Sequence, residues 1–158
     1  MNGQTATNLF SALDRALDEW VDSAMLRRLG LLYVRFALGA AFLSGIASRF
    51  GLYPKGVGYG NFANFLRYTA EVNSFMPSST IPFLGWAATV LEFFFGVTLV
   101  LGIWPRWVAL GSAGLLALFG IAMAISFGIK SPLDYSVFSA SAAALLLAVF
   151  PTSTKNRN

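Results

Sequence analysis

Residues 81–103 read IPFLGWAATVLEFFFGVTLVLGI, an unbroken apolar run that carries one charge, Glu92, near its middle. At 1.5 Å per residue it reaches about 34 Å, enough to cross a hydrocarbon core of roughly 30 Å. Three more stretches share this character, 29–51, 107–127 and 132–150. The whole chain agrees with them. Of 158 residues, 56% are hydrophobic and only 11% charged, under half the roughly 25% charge of a soluble domain. So few charges could not cover the surface of a water-soluble fold of this size. The expected fold class is all-α: a polytopic membrane protein, a four-transmembrane-helix bundle with amphipathic surface helices.

The expected organisation is an amphipathic N-terminal helix and tail over 1–28, a membrane domain over 29–150 and a polar tail over 151–158. Residues 1–28 lack a basic n-region and a small-residue cleavage site, so they are not expected to be a cleaved signal peptide. Within them, Leu9, Phe10, Leu13, Leu17, Trp20, Val21, Ala24 and Met25 recur on one helical face. Asp14, Arg15, Asp18, Glu19 and Asp22 fall largely opposite. This helix lies along the bilayer surface or, since its polar face is acidic rather than lipid-seeking, docks a soluble or membrane protein.

Residues 52–80 are too many for a structureless connection in a compact bundle. Phe62, Phe65, Leu66, Thr69, Val72, Phe75 and Met76 recur at helical spacing there, which predicts a second surface helix capping the bundle. Ahead of it, Gly56, Gly58 and Gly60 form a G-x-G-x-G string. No strand precedes them and no βαβ unit is available, so a flexible loop is favoured over a phosphate cradle. Trp104-Pro105-Arg106 and 128–131 are tight turns that make spans two, three and four antiparallel neighbours. Ser131, Pro132 and Asp134 read as N-cap, first helical residue and N-terminal acid.

Arg15, Arg27, Arg28, Arg106, Lys155 and Arg157 share one side of the membrane. Lys55, Arg67 and Lys130 lie on the other, with Arg49 at its border. The positive-inside rule therefore puts both termini in the cytoplasm. Tyr33, Trp86, Trp104, Trp107 and Tyr135 fall near span ends, as interfacial aromatics do. Small residues every fourth position predict close helix contacts within or between protomers, and so a possible homo-oligomer. They are Ala37, Ala41 and Gly45, then Gly120, Ala124 and Gly128, then Ser136, Ala140, Ala144 and Ala148.

With no Cys and no His, the chain lacks thiolate nucleophiles, Cys-ligated metal and the usual haem ligand and general base. No metal site or catalytic residue is expected, and the scattered net charge of +4 gives no reason for nucleic-acid binding. What remains is a seam of three charges inside the spans, Arg35 and Arg49 in the first and Glu92 in the second, each costing about 2.5–3.5 kcal/mol to insert. The seam either neutralises itself and fixes the packing of two helices, or also binds an anionic group, a quinone-like head or a proton in transit. Setting Leu29 level with Ile103 leaves axial gaps to Glu92 of roughly 7 Å for Arg35 and roughly 14 Å for Arg49. Arg35 is then the expected partner, although helical side chains lean toward their N-termini and so favour Arg49.

LYVRFALGAAFLSGIASRFG, from Leu32 to Gly51, resembles the first helix of the DoxX family, with Arg35, Gly39, Phe42 and Arg49 at the family's positions. Arg49 stands where Lys is usual, and Gly45 falls one position early. The stretch that begins at Ile81 resembles the family's second and third helices through Glu92, Gly96, Leu101-Gly102, Arg106 and Ala109-Leu110. The resemblance covers about residues 30–150. It implies a four-helix protein of the bacterial inner membrane, and some members associate with redox assemblies such as thiosulfate:quinone oxidoreductase. For this chain the expectation is a non-catalytic accessory subunit of a membrane complex, any electron carrier belonging to a partner or a diffusible quinone. The alternatives are a quinone- or small-anion-handling oxidoreductase component and a small transporter.

Overall fold

A computed structural model describes residues 9–15, 17–18 and 24–150. All regular structure among them is helical. Residues 9–15 and 17–18 are helical, then come α1 (Ala24–Arg49), α2 (Phe62–Val72), a 3-10 turn (Ser78–Thr80), α3 (Ile81–Leu101), α4 (Pro105–Phe127), α5 (Lys130–Asp134) and α6 (Val137–Val149).

Among the described residues three helices are long and apolar enough to span a bilayer: α1 with 26 residues, α3 with its preceding turn at 24, and α4 with 23. The fourth expected span, 132–150, is divided. Ser136 adopts a left-handed conformation, φ 55°, which an L-residue in a continuous helix cannot hold. It leaves α6 with 13 residues, about 20 Å of helix. The helix start expected at Ser131 lies earlier, with Ile129 as the capping residue. Asp134 forms an exposed ion pair with Lys130 at 2.6 Å, one turn away.

Apolar side chains point outward on all these helices. Phe83, Val90 and Phe93 on α3, Leu118, Ile121 and Ile125 on α4, and Leu145, Leu146 and Val149 on α6 are exposed. In water such a surface would aggregate; in lipid it is the solvated face. Tyr33, Trp86, Trp104, Trp107 and Tyr135 are all exposed too, as interfacial anchoring requires.

The interior is a cluster of Leu38, Phe42, Leu99, Val108, Ala109, Ala113, Leu115, Ala144, Leu147 and Ala148, drawn from α1, α3, α4 and α6. The closest neighbours are α4 with α6 and α1 with α3; α3 also packs on α4 and α1 on α6. Small residues permit the approach, though not all the expected ones. Ala144 and Ala148 are buried and Gly120 receives the ring of Phe138, whereas Ala37 and Ala41 face outward. The α1–α3 crossing is made instead by Gly39 and Gly96. A Cβ on Gly39 would come within 3.1 Å of the Gly96 carbonyl oxygen.

The α3–α4 connection is short. Gly102, with φ 74°, caps α3 by donating its N–H to Thr98 and Leu99, and Pro105 opens α4 at the first helical position, where its missing N–H costs nothing.

The expected capping helix is present as α2. The side chain of Asn61 accepts from the N–H of Asn64 at its start, and Phe65, Thr69 and Val72 form its buried face. Phe75 and Met76 lie beyond its end and are exposed. Two hydroxyls clasp it to α4: Ser126 donates to the Val72 carbonyl at 2.6 Å, and Ser74 donates to Ser126 at 3.1 Å. The expected N-terminal amphipathic face is partly described, with Leu9, Phe10, Leu13 and Leu17 exposed. Trp20 and Val21, like the tail over 151–158, lie outside the described residues.

Candidate functional site

Among the described residues, the buried charge sits where α1 ends against the middle of α3, beneath α2. Arg49 and Glu92 are each only 5% exposed. Nη2 of Arg49 donates to Oε1 of Glu92 at 2.5 Å, and Nη1 donates to the Thr89 hydroxyl at 3.0 Å. That hydroxyl in turn donates to the Gly85 carbonyl one turn back, at 2.7 Å, so its proton is committed and a lone pair is left for the guanidinium. The Phe65 ring of α2 lies over the guanidinium, 3.9 Å from ring centre to Cζ, a distance at which a desolvated cation is attracted to the ring face. Nε of Arg49 is buried without a partner.

Gly45, one turn before Arg49, makes room for the carboxylate. A Cβ there would stand 3.1 Å from Glu92 Oε2.

The 50–60 loop closes the site from outside. The Tyr59 N–H donates to the Ser48 hydroxyl at 2.8 Å. Gly58, with φ 70°, lies so close to Ser48 that a Cβ would collide with its oxygen at 2.1 Å. The G-x-G-x-G string is thus a tight cover on the end of α1. Above it the rings interlock: Tyr59 edge-on to Phe65 with centres 5.3 Å apart, Phe62 on Phe65 at 5.6 Å and on Trp86 at 4.5 Å.

Arg35 lies elsewhere. Its guanidinium is against Gly102 at the carbonyl end of α3, where the helix dipole favours a cation, and 5.1 Å from the ring centre of Phe36. The Arg35–Glu92 pairing expected from axial distances is therefore not formed. Arg35 beside Gly102 and Gly45 beside Glu92 both mark a register about five residues, roughly 8 Å, from the one set by Leu29 and Ile103. That shift brings Arg49 within about 6 Å of Glu92 along the axis, and the N-terminal lean of both side chains closes the rest.

Charge and hydropathy alone do not mark Thr89, Phe65, Gly45 or Ser48 as partners of the seam. Two signals point to the first three: Thr89 and Gly45 stand one turn from Glu92 and Arg49 on the same helix faces, and Phe65 lies on the inward face of the capping helix. Among the described residues no three His, Cys, Asp or Glu side chains converge as metal ligands would.

Tyr59 reports on this cover. Burial, with a smaller push from Tyr68, raises its phenol from 10.0 to about 12, and burial likewise raises Tyr68. Because the unfolded phenol ionises first, the contribution of Tyr59 to stability is intact below pH 10 and is lost as pH rises toward about 12. Alkaline titration followed by tyrosinate absorbance should show a late component near pH 12 that shrinks in Tyr59→Phe.

A family model described as DoxX matches residues 30–125, a range that contains Arg35, Arg49, the capping helix and Glu92. No match was found among curated proteins or among solved structures.

Proposed function

The chain belongs to the DoxX family of membrane proteins, and on that premise we propose that it is a non-catalytic accessory subunit of a redox-linked complex in a bacterial inner membrane. The observation that carries this reading is the closure of the charged site. Glu92 is neutralised by Arg49, the cation is covered by Phe65 and the end of α1 by the 50–60 loop, so the pair acts as a lock between α1, α3 and α2. In this reading Arg35, Glu92 and Arg49 hold the fold and bind no ligand.

In the membrane the four apolar segments form an antiparallel bundle, α5 and α6 together completing the fourth crossing. Both termini face the cytoplasm and α2 lies outside. The Lys and Arg distribution supports this orientation. Since the chain has no native Cys, single cysteines at positions 2, 55 and 158 can be labelled with a membrane-impermeant thiol reagent. In intact cells only Lys55→Cys should react; labelling at either terminus would invert the topology.

The exposed apolar face of Leu9, Phe10, Leu13 and Leu17 supports docking to a protein partner, with the lipid surface as its resting place. The outward ridge of Ala37 and Ala41 suits a helix of a second protomer. Purification from native membranes in mild detergent tests the function. A stoichiometric partner that is lost when residues 1–25 are removed is expected, whereas a partner-free preparation carrying bound quinone would overturn the accessory role.

A further inference from the structure

A groove of about 420 Å³ runs between the first turns of α1 and the last turns of α6, away from the Arg49–Glu92 site. Its walls are Gly30, Leu31 and Val34 on one side and Leu146 and Leu147 on the other, and Arg27 is its one charged lining residue. We propose that this groove seats an acyl chain of an anionic phospholipid, with the lipid phosphate held by Arg27. The proposal needs only that the chain is embedded in a bilayer and is independent of the accessory role.

Polarity along the groove is the argument. From Arg27 to Val34 it follows α1 for about 10 Å, and the opposite wall runs from Phe150 back to Ala143. The charge is thus at the helix ends and the apolar wall extends inward, the order in which a phospholipid presents its headgroup and chain. Arg27 is exposed, and none of the described carboxylates pairs with it. Such a cation at headgroup depth attracts anionic over zwitterionic lipid. The volume is that of a small-molecule site, about 300–1,000 Å³. Gly30 lies on the open side of the groove, where a Cβ meets nothing within 4 Å.

That open space supplies the test. Gly30→Leu puts a side chain into the groove from a position whose Cβ meets nothing within 4 Å, and Ala143→Leu fills it from the other wall should Gly30→Leu fail to fold. Detergent-purified full-length protein, offered phosphatidylglycerol or phosphatidylcholine with identical acyl chains, is examined by native mass spectrometry. We expect one retained lipid, with about a fivefold preference for phosphatidylglycerol, the scale of one arginine at the surface. Either filled variant should lose retention without a fall in melting temperature, while Arg27→Gln should keep retention and lose the preference. Equal retention of both lipids by the unaltered chain would overturn the proposal, as would retention that survives both filling variants. So would a dimer that dissociates on filling, which would assign the groove to a second copy, or binding that appears only after residues 1–18 are removed, which would assign it to the chain's own N-terminal helix.

Discussion

Replacing Glu92 by alanine is expected to destabilise the folded protein by about 3 kcal/mol, because removing one member of a buried pair leaves the other charge without compensation. Arg49 has nowhere to go. It ends α1 under the Phe65 ring and the 50–60 loop, and its one other polar partner is Thr89. Glu92→Gln should cost less, about half as much, since an amide oxygen still accepts from Nη2 and only the charge assistance is lost. Arg49→Leu combined with Glu92→Leu should recover most of the deficit, as buried pairs exchanged for apolar side chains of similar volume often do. Thermal melts in detergent give the double-mutant cycle. Coupling between 49 and 92 should reach on the order of 2 kcal/mol, and coupling between 35 and 92 should stay within the ~0.3–0.5 kcal/mol of independent sites. If the double leucine variant is as stable as the unaltered chain yet no longer retains the partner proposed above, the lock also has a functional role.

The parts of this architecture that were legible from sequence are those set by one-dimensional composition. Apolar length marked 29–51, 81–103 and 107–127 as spans, and the period of Phe65, Thr69 and Val72 marked the capping helix. In a bilayer these signals are strong because backbone polar groups must be satisfied within the segment, leaving helix as the solution. The pairing inside the seam was not legible in the same way. It depends on how α1 slides along α3, and that register is set by two close approaches, Gly39 to the backbone of Gly96 and Gly45 to Glu92. Neither is visible as a hydropathy boundary. Extending α1 back to Ala24 shows the same weakness, because Arg27 and Arg28 read as the end of an apolar run although nothing there interrupts a helix. The division of 132–150 at Ser136 was likewise hidden, since a single left-handed residue leaves apolar composition unchanged.

If that register is what brings Arg49 to Glu92, a side chain at Gly39 should be as damaging as loss of the carboxylate, though Gly39 touches neither charge. Its Cβ would stand 2.8 Å from Cγ2 of Val100 and 3.1 Å from the carbonyl oxygen of Gly96. A valine methyl can rotate away, but a backbone oxygen inside a helix can retreat only if α1 and α3 separate. Gly39→Ala should therefore cost about 1–2 kcal/mol and Gly39→Leu about 3 kcal/mol, the upper range of overpacking. Two controls grade the effect. At Gly96 a Cβ meets the Leu43 side chain at 2.9 Å and the Phe42 Cβ at 3.3 Å, so Gly96→Ala can be accommodated in part by the Leu43 rotamer and should cost less than Gly39→Ala. At Gly114, within α4, a Cβ meets nothing within 4 Å, so Gly114→Ala should gain up to about 1 kcal/mol from helix propensity alone. Melting temperatures in detergent should fall in the order Gly114→Ala, unaltered chain, Gly96→Ala, Gly39→Ala, Gly39→Leu. A Gly39→Leu protein that melts with the unaltered chain would mean that the two helices do not cross there, and the register that delivers Arg49 to Glu92 would need another cause. Where the order holds, combining Gly39→Leu with Glu92→Ala should cost less than the two changes summed, because a helix already displaced has carried Arg49 out of the carboxylate's reach.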